Sequence, residues 1–378
     1  MKNIRVGIIG VGNCASSLVQ GVNFYRHNPK DNISGLMFSD IGGYKAWDID
    51  FVVAWDVDVR KVNKYLCHAI FAGPNCCRFF QTKVEDKCIV RMGPVMDGVA
   101  NHMLDYHDDI HFELSNEVSD SKEEIVAQLR NRKVDILLNY LPVGSNLATA
   151  FYMECALEAG VAVVNCIPEF IASNPEWERK FINAGIPIIG DDMRSQVGAS
   201  VLSQVLQELA FDRGCSVKFH QQINVGGNTD FANMMDSKRI RSKKISKENV
   251  IRSQNDLRSI PVLKDSIYAG PSSFIPHLKD NKVAYIRLEL EGFGGAPIEI
   301  DCKLSVQDSE NSAGIVIDAI RYLQVAKEMG IVGALRGPSA WTQKTPPQQM
   351  QYRDAMEECK ALAERRYTEL TKNQVVSK

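Results

Sequence analysis

The stretch IRVGIIGVGNCA (4–15) runs from a continuous apolar segment through a glycine turn into a helix start. A strand with no polar alternation is buried on both faces, which calls for a parallel sheet covered by helices on both sides. The same alternation recurs down the first half of the chain. FVVAWDVD (51–58) is a second strand, and VRKVNKYLCHAIF after it has helical spacing. VDILLNYL (134–141) precedes the helical NLATAFYMECALEAG. VAVVNCIP (161–168) precedes NPEWERKFINAG, where Asn174 can cap and Pro175 takes the first helical position. IPIIGDD (186–192) adds a short buried strand, while 25–50 and 72–120 read as insertions.

The pattern changes after a helix over 195–214. CSVKFHQQINV, KVAYIRLELEGF and PIEIDCKLSV are longer runs, and the last alternates strictly. Ile298, Ile300, Cys302, Leu304 and Val306 share one face, with Glu299, Asp301, Lys303 and Ser305 on the other. That pattern predicts an antiparallel sheet with one covered face. SAGIVIDAIRYLQVAKEMG (312–330) is a strong helix, and the tail from Gln348 is polar, charged and helical.

Gly10-x-Gly12-x-x-Ala15 sits between the first strand and the first helix. Gly10 permits the tight turn, Gly12 lets a pyrophosphate approach the backbone, and the helix N-terminus favours negative charge. Asp56, at the end of the second strand, is placed to bind an adenine ribose, and an acid there favours NAD over NADP. The expected fold is therefore α/β: a Rossmann-type doubly wound parallel sheet (1–198) with an inserted α+β domain carrying an antiparallel sheet (199–310). A helical return to the NAD-binding domain follows (311–378).

With 44 cationic and 46 anionic side chains the net charge is −2, which argues against nucleic acid as a partner. No apolar run approaches the ~20 residues of a membrane span, and the N-terminus lacks a signal-peptide pattern, so no membrane partner and a cytoplasmic location are expected. The ten cysteines are scattered without a CxxC pair and read as reduced thiols. His102, His107 and His111 lie near Asp105, Asp108 and Asp109, but the spacing fits no zinc pattern. No metal site is expected.

Three further stretches stand out. GDDMRSQ (190–196) falls where the last parallel strand ends, so Asp191, Asp192 and Ser195 are placed both to cap a helix and to line a ligand crevice. NVGGNTDFAN (224–233) carries a glycine pair that lets backbone N–H groups meet an anion. DSKRIRSKKISKENV (236–250) holds six cations in fifteen residues, with Lys243 and Lys247 at i, i+4. By spacing alone it is a solvated surface, since like charges at that interval repel.

Together these stretches resemble the inositol-1-phosphate synthases in their shorter prokaryotic form. VGIIGVGNCASSLVQG, VVAWDVD, GPVMDG, YLPVGS, VNCIPEFIAS, GDDMRSQVGA, NVGGNTDF, SKKISK, DNKVAYI, QDSENSAG and WTQKTPP occur in the family's order. The resemblance implies redox-neutral, NAD-dependent cyclisation of D-glucose 6-phosphate to 1D-myo-inositol 3-phosphate. C5 is oxidised, C6 enolised and joined to C1 by an aldol closure, and C5 is reduced again. It implies Lys243 for proton transfer at the C5 hydroxyl and Lys282 and Lys344 for the oxyanions. Asp192, Asp230, Asp280 and Asp308 are implied to orient the lysines or the cofactor. Ser195, Gln196, Asn228 and Lys247 match phosphate contacts. Gly10, Gly12, Asn13, Cys14, Asp56, Tyr152, Ser195, Asp230, Asp308 and the loop from Leu141 to Ser145 match the NAD side. Lys238, Arg239, Arg241 and Lys244 are then expected to be solvated or at a subunit contact. The family's tetramers imply a homotetramer.

Two departures accompany the resemblance. Arg194 stands where a lysine is expected, and arginine can hold an anion but cannot shuttle a proton. Cys76 and Cys77 lie in a variable insertion. A simple NAD-dependent sugar dehydrogenase would share the first domain but not need three separated lysines. A silent NAD-binding scaffold would have no use for clustered cations, and a cyclase of another sugar phosphate differs only in pocket shape.

Overall fold

The computed structural model describes residues 3–29 and 34–366. Its strands are β1 (Ile4–Ile9), β2 (Ile49–Asp56), β3 (Val90–Met92), β4 (Ile136–Asn139), β5 (Ala162–Asn165), β6 (Pro187–Ile189), β7 (Ser216–Gly226), β8 (Ile267–Phe274), β9 (Asn281–Glu291), β10 (Pro297–Gln307) and β11 (Gly333–Ala334). The helices are α1 (Asn13–His27), α2 (Leu66–Ala69), α3 (Lys122–Asn131), α4 (Asn146–Ala159), α5 (Pro175–Asn183), α6 (Ala199–Asp212), α7 (Thr229–Asn233), α8 (Ser237–Asp256), α9 (Asp308–Glu328), α10 (Arg336–Thr342) and α11 (Tyr352–Ala363).

Seven strands form a parallel sheet in the order β11-β6-β5-β4-β1-β2-β3. One face buries Ile4, Val6, Ile8, Ile136, Leu138, Ala162 and Val164 against α1 and α9. The other buries Ile9, Val53, Trp55, Leu137, Val163 and Ile188 against α3, α4 and α5. Both faces are therefore covered, as the uninterrupted apolar strands require. The C-terminal return is more than helical, because β11 pairs with β6 as the edge strand.

The second sheet is mixed, in the order β10-β9-β7-β8, rather than wholly antiparallel. β7 and β9 pair antiparallel, as do β9 and β10, but β8 runs parallel to β7. The cause lies in the connection: α7 and α8 carry the chain back across the sheet, and such a crossover makes the next strand parallel. Ala284, Ile286, Leu288 and Leu290 face α6 with Ile300, Cys302 and Leu304, so the alternation in β10 does mark a covered face.

The run after β2 is helical only at Leu66–Ala69, and most of 59–64 is turn. Asp58 explains this: its buried carboxylate accepts from the Arg60 and Glu113 amides and pairs with the Arg60 guanidinium, which fixes a turn instead. The described part of the 25–50 insertion wraps over α9. Arg321, fully buried, pairs with Asp318 and donates to the carbonyls of Phe38, Ser39 and Tyr44. The tail is helical at Tyr352–Ala363, and 367–378 lie outside the described residues.

Candidate active site

A cavity opens at the carboxyl ends of β1, β4, β5 and β6 and reaches the inner face of the second sheet. This is the crevice where open α/β sheets bind ligands. Gly10 has φ +87°, and a Cβ there would stand 2.6 Å from the Tyr140 carbonyl oxygen, so only glycine makes this turn. Gly12 precedes α1 with no side-chain cap, and a Cβ on it would meet nothing within 4 Å. The uncapped helix N-terminus thus faces open cavity lined by Asn13, Cys14, Leu141, Pro142 and Val143.

Four lysines reach the same cavity from three parts of the chain: Lys243 and Lys247, Lys282, and Lys344. Lys243 and Lys247 stand one helical turn apart on α8, so the crossover helix presents both on one face. Lys282 leads β9 on the same side as Ala284 and Ile286, so the period of two that buries those residues carries it inward. Lys344 follows α10 and is pinned by an antiparallel ladder between 191–194 and 342–345.

Carboxylates sort these cations. Asp192, fully buried, accepts from Lys243 Nζ and Lys344 Nζ at 2.9 Å each and from Ser246 Oγ at 2.6 Å. Burial works to raise its carboxyl, but the two lysines and Ser246 hold it well below the usual carboxylate range. Lys282 pairs with Asp308. Asp280 lies beneath, accepting from the Ser309 amide and hydroxyl at 2.9 and 2.8 Å and from Asn228 Nδ2 at 3.3 Å. Burial, and then Asp308, push its carboxyl up to about 6.

The lysines consequently differ. Burial acts to discharge Lys243, but Asp192 and Asp230 outweigh it and keep this lysine protonated well past the ordinary range. Lys344 is lowered to about 8 by burial and by Lys243, against the pull of Asp192. Lys247 has no carboxylate within ion-pair distance among the described residues. Burial, then Lys243, Lys282 and Lys344, drive its pKa well below the usual lysine value.

A family model described as myo-inositol-1-phosphate synthase matches residues 198–309. The inositol-3-phosphate synthase of Mycolicibacterium smegmatis is 44% identical over 350 residues, covering 92% of this chain and 94% of that protein. That of Mycobacterium tuberculosis (strain CDC 1551 / Oshkosh) is 46% identical, covering 92% of each. This chain belongs to the inositol-3-phosphate synthase family. The crystal structure of Ari2 superposes with a TM-score of 0.75 at 32% identity, covering 96% of this chain and 99% of that one.

Of the residues that the family resemblance singles out, Gly12, Asn13, Cys14, Ser195, Asn228, Asp230, Lys243, Lys247, Lys282, Asp308 and Lys344 line the cavity. Asp192 and Asp280 lie under it through the bonds above. Asp56 does not line it. Its carboxylate accepts from the Val11 amide at 2.6 Å and from the Val57 and Asp58 amides, bracing the glycine turn. Tyr152 packs in the core against Trp55. Gln196 lies in a separate small recess beside α9.

Arg239 departs from expectation. It is buried, donating to the Val143 carbonyl at 3.0 Å and to the Asp97 carbonyl at 2.6 Å, so it ties α8 to the loops that carry those two residues. Its place one turn before Lys243 puts it on the inward face. Lys238, Arg241 and Lys244 are exposed. Cys76 also has a place at the site. Its amide donates to Asn13 Oδ1 at 3.0 Å and its thiol accepts from Asn13 Nδ2 at 3.4 Å. The ten cysteines are free thiols. The histidines serve separate local contacts, His102 with the Ala232 carbonyl, His111 with that of Tyr106 and His107 with Asp109.

Sequence reasoning missed Ser246, Ser309, and the pair Gln222 and Asn224, which line the cavity from β7. Ser246 was findable: three residues after Lys243 on a helix, it shares that lysine's face. Ser309 gave no signal, because its partner Asp280 lies on another element.

Proposed function

We propose that this protein converts D-glucose 6-phosphate to 1D-myo-inositol 3-phosphate with tightly held NAD. The observation that carries the reading is Lys247, a buried lysine among three other lysines with no carboxylate in ion-pair distance among the described residues. A phosphate dianion supplies the missing counter-charge, with Ser195 and Asn228 as the accompanying contacts; Gln196, in its separate recess, is not among them. The open space at Gly12 and the uncapped start of α1 fit the pyrophosphate of a dinucleotide. Asn13, Cys14, Asp230, Asp308 and the 141–145 loop are its proposed surroundings, with Gly10 and Asp56 shaping the turn beneath and Tyr152 in the core behind. When bound, NAD supplies the hydride acceptor and donor that make the conversion redox-neutral.

The charge states favour one exchange of roles between lysines. Lys243, held protonated by Asp192, suits stabilisation of the oxygen anions that develop at C5 and C1, together with Lys282. Lys344, with a value near 8, suits transfer of the C5 hydroxyl proton. Asp192 holds both ammonium groups in register, and Asp280 fixes Asn228 and the turn that bears Asp308.

Residues 1–198, 199–310 and 311–378 are read as the cofactor unit, the catalytic and assembly unit, and the return. A homotetramer is proposed through the outer face of the mixed sheet. Tyr268 and Tyr285 project from that face, 40% and 48% exposed. No helix among the described residues is long and apolar enough to cross a membrane, and a cytoplasmic enzyme is proposed.

The test is incubation with glucose 6-phosphate and NAD⁺ while phosphorus NMR and NADH absorbance are followed together. Inositol phosphate without accumulating NADH is the expected result. Stoichiometric NADH without a cyclised product would instead mean a dehydrogenase and would overturn the lysine roles.

A further inference from the structure

Arg194 occupies the position between Asp192 and Ser195, yet its side chain points away from the cavity and is only 4% exposed. Its guanidinium spans two elements. Nε donates to the Gln343 carbonyl at 2.6 Å, and Nη1 donates to Gln204 Oε1 at 2.7 Å. The Arg194 amide donates to the Thr342 carbonyl at 2.8 Å. Gln204 continues the chain, donating to Glu208 Oε1 at 3.1 Å, and the same oxygen accepts from the Tyr352 amide at 3.0 Å. Arg194 therefore ties α6 and the approach to α11 to the peptide immediately before Lys344.

Lys344 depends on that peptide. Its amide donates to the Asp192 carbonyl at 2.7 Å, and its ammonium reaches Asp192 Oδ1 at 2.9 Å and the Met193 carbonyl at 2.7 Å. A rotation of the Gln343 carbonyl would swing the next residue's side chain out of this arrangement.

We infer that Arg194 is a positioning residue for Lys344: its guanidinium clamps the Gln343 carbonyl and so aims the Lys344 ammonium at Asp192 and the cavity. The requirement is for a planar fork rather than for charge alone. A lysine at this position carries its three donors on one nitrogen, so it cannot stand at both of the places that Nε and Nη1 occupy to reach these two acceptors. The inference rests on the proposed cyclase reading, in which Lys344 acts on the substrate.

The experiment compares wild type, Arg194→Lys, Arg194→Ala and Gln204→Leu, each checked by thermal unfolding. Arg194→Lys should lower kcat about tenfold while the KM for glucose 6-phosphate and the affinity for NAD stay within about twofold, as expected of a misaimed catalytic group. Gln204→Leu, which removes one arm, should show a smaller loss of the same kind. Arg194→Ala should lose more, and added guanidinium chloride should restore part of its turnover where sodium chloride does not. If Arg194→Ala fails to fold, the other two variants decide. Wild-type kcat in Arg194→Lys overturns the inference, as does an equal loss of kcat and both affinities with no guanidinium rescue. A wild type that makes no inositol phosphate overturns the cyclase reading, and the role of Arg194 with it.

Discussion

Lys243 on α8 and Lys344 just after α10 each stand 2.9 Å from the same oxygen of Asp192. One carboxylate therefore sets the spacing of two cations that would otherwise repel. Asp192→Asn keeps the shape and the hydrogen bond from Ser246 but removes the shared charge. Turnover should fall about 100-fold or more, the scale on which oriented charge contributes to catalysis. Steady-state kinetics on a variant with an unchanged circular dichroism spectrum is the check, and a loss below about threefold would contradict this role.

Lys247 makes the opposite case, a charge the free fold does not stabilise. Its folded pKa lies well below the ordinary 10.5. The unfolded chain therefore binds the extra proton, and stability rises with pH between the folded value and about 10.5. Lys247→Met should unfold at a higher temperature than wild type, most clearly toward the acid end of that window, by about 1 kcal/mol or more. The KM for glucose 6-phosphate should rise about 10–100-fold through loss of a charge-assisted contact. Melting curves across pH 6–10 would decide, and an unchanged or lower melting temperature would count against the charge state given to Lys247.

If Lys344, at about 8, is the proton acceptor proposed above, it should set the pH response of turnover. A proton acceptor works only as the neutral amine, so kcat should climb as pH rises through about 8. Lys344→Arg keeps the charge and cannot lose it, so the climb should vanish with most of the activity. A flat profile in the wild type would return the proton-transfer role to another lysine.

Gly10 and Gly12 separate fold from cofactor. Gly10→Ala forces an L-residue into a left-handed backbone and drives Cβ against the Tyr140 carbonyl, which should cost more than about 1 kcal/mol of stability. Gly12→Ala meets only open space, so its melting temperature should match wild type while NAD binds at least about tenfold more weakly. Calorimetry on both variants gives both readings. Equal NAD affinity in Gly12→Ala would place the cofactor elsewhere.

Periodicity carried much of this architecture. The apolar runs that became β1, β4 and β5, the cap and proline of α5, and the alternation of β10 are local signals, and each appears in the fold. The parallel pairing of β8 was not legible, because strand direction follows from where α7 and α8 send the chain and not from β8 itself. Arg239 was misread for a similar reason. It sits in a run of six cations, and only the packing of α8 on the 143–144 loop separates it from exposed Lys238. The charge states of the lysines were the least accessible, since they depend on which carboxylate each meets across the fold.

The edge strand β11 and the arrival of Lys344 both come late in the chain. During synthesis, a ribosome that has delivered the first 330 residues has made the glycine turn, the crossover helix and three of the four lysines. The nascent chain still lacks the fourth, and β6 still waits for its neighbour. Until residues 333–345 emerge, Asp192 has only one of its two lysines, and the sheet keeps an open side that other chains can reach. Competence for chemistry and the last strand of the sheet are thus acquired in the same few residues of elongation.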